Sequence, residues 1–107
     1  MASGLNGQNF CFHGYLPNKP NELKAKLRKL ETTILNSGQT QIFIETPYRN
    51  QSIVKEILQS INPKIKLCIG KDLTGKRENI SSKTIAQWKK IPLPDLHKIP
   101  CIFLLGQ

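Results

Sequence analysis

A glutamate, a threonine, a proline and an arginine follow one another closely after a short apolar run. Residues 42–44 (Ile-Phe-Ile) lead into Glu45, Thr46, Pro47 and Arg49. The apolar run favours a β-strand, Thr46 is a suitable helix N-cap, and Pro47 suits the first helical position. Glu45 is therefore predicted to lie at the carboxyl end of a strand, where open α/β sheets bind their ligands.

Arg49 is the residue of this stretch whose charge conflicts with its predicted place. In the first turn of the following helix, near the positive end of the helix dipole, a cation is disfavoured by about 0.3–1 kcal/mol. We expect the guanidinium to have a partner there, either Glu45 or a bound anion. The alternative is a structural ion pair across the strand–helix junction, since short motifs of this kind are not specific to one function.

The elements that would position these side chains follow from hydrophobic periodicity. Strands are predicted over residues 9–13, 42–44, 64–71, 79–81 and 99–105, and helices over 21–36, 46–61 and 83–90. Gly38 is expected to end the first helix in a left-handed conformation, and Ser82 to cap the third. The alternation predicts a single α/β domain, with α+β as the alternative. It would contain a mixed sheet of about five strands packed with three helices.

Two strands carry more detailed predictions. The most apolar segment, residues 99–105, is expected to be a central strand that is buried on both faces. Residues 64–71 alternate, which predicts a half-buried strand with Ile65, Leu67 and Ile69 facing inward. Their neighbours Lys66, Cys68 and Gly70 are then expected to face outward.

The charge balance indicates a polyanionic partner. The chain of 107 residues has 16 Lys+Arg against 7 Asp+Glu, a net charge of +9. Such a charge favours contact with RNA, or merely a solvated basic surface. Lys26 and Arg28 belong to the most basic helix and are the predicted phosphate contacts. No run of about 18 apolar residues occurs, so no membrane span is predicted.

The three cysteines, Cys11, Cys68 and Cys101, are odd in number and form no Cys-x-x-Cys motif. Free thiols in a reducing cytoplasm are therefore expected. His13 and His97 have no metal-ligand spacing to each other or to a cysteine, so no metal is assigned. His13 is predicted to be structural, because no acidic or nucleophilic residue is near it in sequence.

Three segments resemble the carboxyl-terminal domain of the tetrapyrrole (corrin/porphyrin) methylase family. They are residues 3–5 (Ser-Gly-Leu), 10–17 (Phe-Cys-Phe-His-Gly-Tyr-Leu-Pro) and 44–49 (Ile-Glu-Thr-Pro-Tyr-Arg). They are most similar to the branch that methylates a ribose 2′-hydroxyl of small-subunit ribosomal RNA. That branch typically has Ser-Gly-Leu-Pro, Phe-x-Gly-Phe-Leu-Pro and Tyr-Glu-Ser-Pro-His-Arg at these places. Asn6, Thr46 and Tyr48 stand where it has proline, serine and histidine.

The resemblance implies a methyltransferase that uses S-adenosylmethionine, bound in a cleft between two domains. The family's glycine-rich loop belongs to its amino-terminal domain, and nothing similar occurs here. The chain is therefore expected to be the carboxyl-terminal domain of a longer enzyme, inactive alone, with Met1 at an internal position. Tyr48 and Arg49 are the predicted substrate contacts. The cofactor contacts implied by the resemblance are Ile44, Glu45, Thr46, Lys71, Asp72, Pro100 and Cys101.

No catalytic residue is assigned, because methyl transfer from a sulfonium depends mainly on alignment of the reacting groups. Three alternatives remain at this point. The chain could be a basic RNA-binding module without a cofactor, or a module that forms a homodimer through apolar strand edges. It could also belong to a methyltransferase that acts on a tetrapyrrole-like small molecule.

Overall fold

One mixed β-sheet and three helices make up the computed structural model, which describes residues 9–71, 79–93, 96 and 99–107. The helices are α1 (Pro20–Ser37), α2 (Asn50–Ser60) and α3 (Ile85–Lys89). The strands are β1 (Phe10–Tyr15), β2 (Thr40–Ile44), β3 (Lys66–Lys71), β4 (Asn79–Thr84) and β5 (Cys101–Gly106). Their order is β1-β2-β5-β3-β4; β1 and β2 are parallel, and the other neighbouring pairs are antiparallel. The predicted fold class and the central place of the last strand are confirmed.

The first helix follows its predicted apolar spacing. It ends at Gly38, whose φ of 72° lets its N–H donate to the Ile34 carbonyl at 2.8 Å, as predicted. It begins slightly earlier than expected, with Lys19 as N-cap and Pro20 in the first turn instead of Asn21 as the cap. Proline is favoured there because its missing N–H would be unpaired in any case. The buried stripe is Leu23, Leu27, Leu30 and Ile34.

The predicted start of the second helix is wrong. Thr46 does not cap α2; the N-cap is Arg49, which makes no side-chain cap hydrogen bond. A turn precedes the helix instead, closed by the Arg49 N–H donating to the Thr46 carbonyl at 2.9 Å. Pro47 occupies the second position of that turn, where its fixed φ is as suitable as at a helix start. The sequence pattern therefore fits both structures, and the backbone adopts the turn.

The third helix is also capped by a different residue from the predicted Ser82. The strand β4 stays paired with β3 as far as Thr84, which extends it beyond the predicted residues 79–81. Thr84 Oγ1 accepts from the Gln87 N–H at 3.1 Å, and Gln87 Oε1 accepts from the Thr84 N–H at 2.9 Å. This reciprocal capping box satisfies two free donors of the short helix α3.

The main core lies on the face of the sheet that the helices cover. All three helices contribute side chains to it, and the Phe43 and Phe103 rings stack at its centre with centroids 5.4 Å apart. Among the described residues, a second and smaller buried cluster on the opposite face consists of Ile42, Cys68 and Leu104, with Ile102 packed against it. Of the β3 residues predicted to face outward, Lys66 is exposed, whereas Cys68 and Gly70 are buried, so the predicted half-buried strand is wrong. This strand lies inside the sheet, beside β5, whose side chains cover it.

The helix-free face of the sheet continues onto the edge strand β1. Phe10 and Phe12 pair with Thr40 and Ile42, and their side chains remain 52% and 57% exposed. No helix in the described part of the chain is both long enough and apolar enough to cross a membrane.

We predict that the two threonines differ in their effect on stability. Thr84→Ala should lower the free energy of unfolding by about 0.5–2 kcal/mol, because it removes the capping box. Thr46→Ala should change it by less than about 0.5 kcal/mol, since the exposed Thr46 side chain caps no helix. Urea denaturation of the two variants measures both values. A larger reduction for Thr46→Ala than for Thr84→Ala would contradict these cap positions.

Candidate functional site

Three adjacent strands bring most of the predicted cofactor contacts to one end of the sheet. Lys71, the last residue of β3, pairs with Cys101, the first residue of β5. On the other side of β5, Ile44 at the end of β2 pairs with Ile102. Because neighbouring strands lie about 4.8 Å apart, Ile44 and Lys71 are separated by roughly 10 Å. Pro100 precedes β5 at this same end, whereas Asp72 lies outside the described residues.

Glu45 follows β2 directly, and one of its two carboxylate oxygens is buried without a hydrogen-bond partner among the described residues. Its side chain is only 6% exposed, and Oε1 accepts from the Thr46 N–H at 2.8 Å. Its other oxygen, Oε2, is buried and has no hydrogen-bond partner among the described residues. A buried carboxylate oxygen without a donor is costly. Glu45 is therefore well suited to accept a hydrogen bond from a ligand.

An open groove of about 420 Å³ lies beside this carboxylate. The loop after β1 forms one wall, and the end of β2 forms the other. Arg49 ties the two together, because its guanidinium donates to the Asn18 side-chain oxygen and, at 3.5 Å, to the Asn18 carbonyl. The residues that line the groove are Tyr15, Leu16, Pro17, Asn18, Glu45 and Thr46.

The predicted ion pair between Glu45 and Arg49 does not occur among the contacts of the described residues. The carboxylate turns back onto the Thr46 N–H, and the turn over residues 47–49 places the guanidinium against Asn18 instead. The expectation that Arg49 needs a partner is right, but the partner is a neutral amide. Arg49 also lies outside the first helical turn, so the dipole conflict that motivated the pair is weaker than predicted.

The predicted substrate contacts divide into two groups. Tyr48 is 69% exposed in the turn that carries Arg49, beside the groove-lining Thr46. Lys26 and Arg28 lie on α1 and are not among the groove-lining residues.

Two side chains near the sheet have structural roles. His13 Nε2 lies 2.6 Å from Gln41 Oε1 on the neighbouring strand, which agrees with its prediction as a structural histidine. Cys101 Sγ donates to the Ile99 carbonyl at 3.3 Å. Burial raises the pKa of this thiol to about 11, although the Lys71 ammonium opposes the shift. Cys101 is therefore a neutral thiol at pH 7 and supplies no thiolate nucleophile.

Comparison with known proteins shows that the chain is similar to methyltransferases. It is 32% identical over 92 residues to the ribosomal RNA small subunit methyltransferase I of Buchnera aphidicola subsp. Schizaphis graminum, with 83% of the chain and 31% of the relative covered. The protein of the same name from Haemophilus influenzae is 30% identical over 94 residues, with 88% and 32% covered. The chain therefore spans about a third of the length of these relatives.

The solved structure of the methyltransferase CobJ shares the fold, with a TM-score of 0.60 over 99% of this chain and 44% of that chain, at 18% identity. A scan against protein-family models found no match. The chain is thus similar in sequence to ribosomal RNA small subunit methyltransferases and similar in fold to a further methyltransferase.

Two polar residues that are absent from the predicted site hold the backbone at Leu96 and Ile99, shortly before β5. Asn50 is fully buried, and its Nδ2 donates to the carbonyls of Leu96 at 3.2 Å and Ile99 at 2.6 Å. Gln51 Oε1 accepts from the Leu96 N–H at 3.0 Å. The start of α2 thus holds the backbone just before Pro100. In the sequence, Asn50 and Gln51 are visible only as a polar pair near a helix start. This pattern does not indicate which backbone groups their side chains bind.

We predict that Asn50→Ala lowers the free energy of unfolding by about 2–3 kcal/mol, because two hydrogen bonds are removed and buried carbonyls are left less satisfied. The matched control is Ser52→Ala, an exposed polar side chain on the same helix, which should change stability by less than about 0.5 kcal/mol. Urea denaturation measures both. Equal effects of the two substitutions would show that Asn50 does not anchor the segment.

Proposed function

We propose that the chain is the carboxyl-terminal domain of an S-adenosylmethionine-dependent methyltransferase that acts on the ribose 2′-hydroxyl of small-subunit ribosomal RNA. The strand register carries this proposal, because it gathers Ile44, Lys71 and Cys101 at one end of the sheet, beside the buried carboxylate of Glu45. The names of the relatives support the reaction and the RNA substrate. The coverage of about a third of each relative is consistent with one domain of a larger enzyme.

The donor groups of S-adenosylmethionine fit the chemistry of this end. Its adenine amino group, ribose hydroxyls and ammonium group are hydrogen-bond donors, and Glu45 Oε2 is a buried acceptor without a partner among the described residues. The cofactor supplies the methyl group from its sulfonium. The residues proposed to hold it are Ile44, Glu45, Thr46, Lys71, Asp72, Pro100 and Cys101.

The contribution of this chain to the reaction is then alignment rather than acid–base chemistry. Holding two reactants in the correct geometry removes much of the barrier to a bimolecular step. Glu45 would orient the cofactor, and the Asn50 anchor would keep the Pro100–Cys101 backbone in place against it. The remainder of the cofactor pocket is proposed to come from an amino-terminal domain.

The RNA is proposed to approach from the groove that Arg49 closes. Tyr48 and Arg49 lie at its border and offer an exposed ring and a cation to a nucleotide. Lys26 and Arg28 on α1 remain proposed phosphate contacts on the basis of the charge of +9. The three free cysteines support a place in the reducing cytoplasm.

The experiment that tests this function is the effect of Arg49→Ala in the full-length protein. Methyl transfer to small-subunit ribosomal RNA should fall tenfold or more, which is about 1.4 kcal/mol of transition-state stabilisation. The free energy of unfolding should change by less than about 1 kcal/mol, since the bond to Asn18 is exposed. Lys64→Ala removes a cation away from the groove and serves as the control. A drop of several kcal/mol in stability with unchanged activity of the folded fraction would make Arg49 purely structural.

Assembly is a second candidate function, favoured by the exposed Phe10 and Phe12 on the helix-free face. Exposed apolar patches on a sheet frequently mark interfaces between proteins. If two copies pair through this face, the wild-type chain sediments as a dimer and the double substitution Phe10→Ser, Phe12→Ser sediments as a monomer. Sedimentation velocity measures both, with Leu35→Ser on α1 as the control for removal of an exposed apolar side chain. A monomeric wild-type chain would exclude this candidate.

A further inference from the structure

Two grooves on the helix-covered side of the sheet adjoin one another, because Trp88 and Ile91 line both. One lies against α2 and α3 with a volume of about 300 Å³, and the other lies against β3 and β4 with about 240 Å³. Among the described residues that line them, the charged groups are lysines and none is a carboxylate. We call the combined feature the lysine groove, after Lys55, Lys71, Lys83 and Lys89.

A buried, hydrogen-bonded tryptophan forms the base of the lysine groove. Trp88 is buried, and its indole N–H donates to the Leu67 carbonyl at 2.8 Å. Lys83 Nζ lies 4.6 Å from the centroid of the Trp88 ring, which is a cation–π contact, and Lys83 has no ion pair within the part of the chain that the structure describes. An ammonium group held by a ring keeps its charge available, whereas a carboxylate partner would neutralise it.

The spacing of the lysines favours an extended anion over a small one. Lys83 pairs with Leu67, which precedes Lys71 by four residues on β3. At about 3.3 Å per residue, the Cα atoms of the two lysines are roughly 13 Å apart along the strand, so their ammonium groups can contact different phosphates of an extended chain. On β4, Ser81 lies between them and Asn79 lies opposite Lys71. Ser81 Oγ donates to Asn79 Oδ1 at 2.9 Å, and the Asn79 amide group can donate to a phosphate or sugar oxygen.

The lysine groove also leads to the candidate cofactor site. Lys71 lines the groove and pairs with Cys101 at the end of the sheet where the proposed cofactor contacts meet. We propose that the lysine groove binds the sugar–phosphate backbone of single-stranded RNA and guides that strand towards this end. The inference rests on the proposed RNA substrate and adds a binding surface separate from α1 and from the groove beside Glu45.

The test compares two pairs of substitutions that remove the same charge. Lys71→Gln with Lys83→Gln alters the lysine groove, whereas Lys64→Gln with Lys66→Gln alters the opposite end of β3. Binding of the 107-residue chain to a fluorescein-labelled, mixed-sequence single-stranded RNA is followed by anisotropy at several salt concentrations. Circular dichroism checks that both variants are folded.

The double variant Lys71→Gln, Lys83→Gln should have a shallower slope of log affinity against log salt than the unaltered chain. The expected difference is about 1.4, which is about 0.7 for each of the two phosphates that the variant no longer neutralises. If the affinities converge near 1 M salt, the reduction in affinity at 0.1 M salt is about 25-fold. Lys71→Gln alone should give half of the slope change while leaving the interaction of Lys83 with Trp88 intact. The control variant Lys64→Gln, Lys66→Gln should keep the slope of the unaltered chain.

Equal slope changes in the two pairs would overturn the inference, because binding would then depend on net charge alone. Absence of RNA binding by the unaltered chain at low salt would overturn it as well. Neither outcome affects the proposed methyl transfer, which the activity of Arg49→Ala tests separately.

Discussion

The pairing of β5 with both β2 and β3 is the constraint on which the rest of the structure depends. Two hydrogen-bonded ladders fix this strand, one from Gln41–Leu105 to Ile44–Ile102 and one from Lys66–Gly106 to Lys71–Cys101. Side chains alternate across a strand, so a slip by one residue would move Phe103 and Leu105 out of the main core. The same slip would separate Cys101 from Lys71. Core packing and site geometry therefore depend on one register.

The Asn50 anchor supports this register from outside the sheet. Its amide binds two carbonyls of the segment before β5, in a position from which water is largely excluded. The two hydrogen bonds of Nδ2 offset part of the cost of removing this amide from water, whereas its Oδ1 is buried without a partner among the described residues. The anchor thus connects the start of α2, which follows the Glu45–Arg49 stretch, to the backbone at Pro100. The two sides of the candidate site are held by one helix end.

The sequence predicted the features that depend on periodic burial. The stripe on α1 and the central place of β5 follow from apolar spacing, which reflects how each element packs. The predicted starts of α2 and α3 are wrong because a residue type can fit two local structures. Pro47 suits a turn as well as a helix start, and Thr84 competes with Ser82 as a cap. The sequence also failed to predict long-range polar partners. Asn50 binds carbonyls 46 and 49 residues away, and no local pattern indicates that distance.

The most direct test of the proposed site is photo-crosslinking of S-adenosylmethionine to the full-length protein, followed by mass spectrometry of the labelled peptides. Within this chain, the proposed site predicts labels at Ile44–Thr46 and at Pro100–Cys101, on the end of the sheet where β2, β5 and β3 meet. Labels around Lys66 and Gly106, at the opposite end of the same strands, would contradict it. Saturable labelling confined to residues outside this chain would contradict it equally.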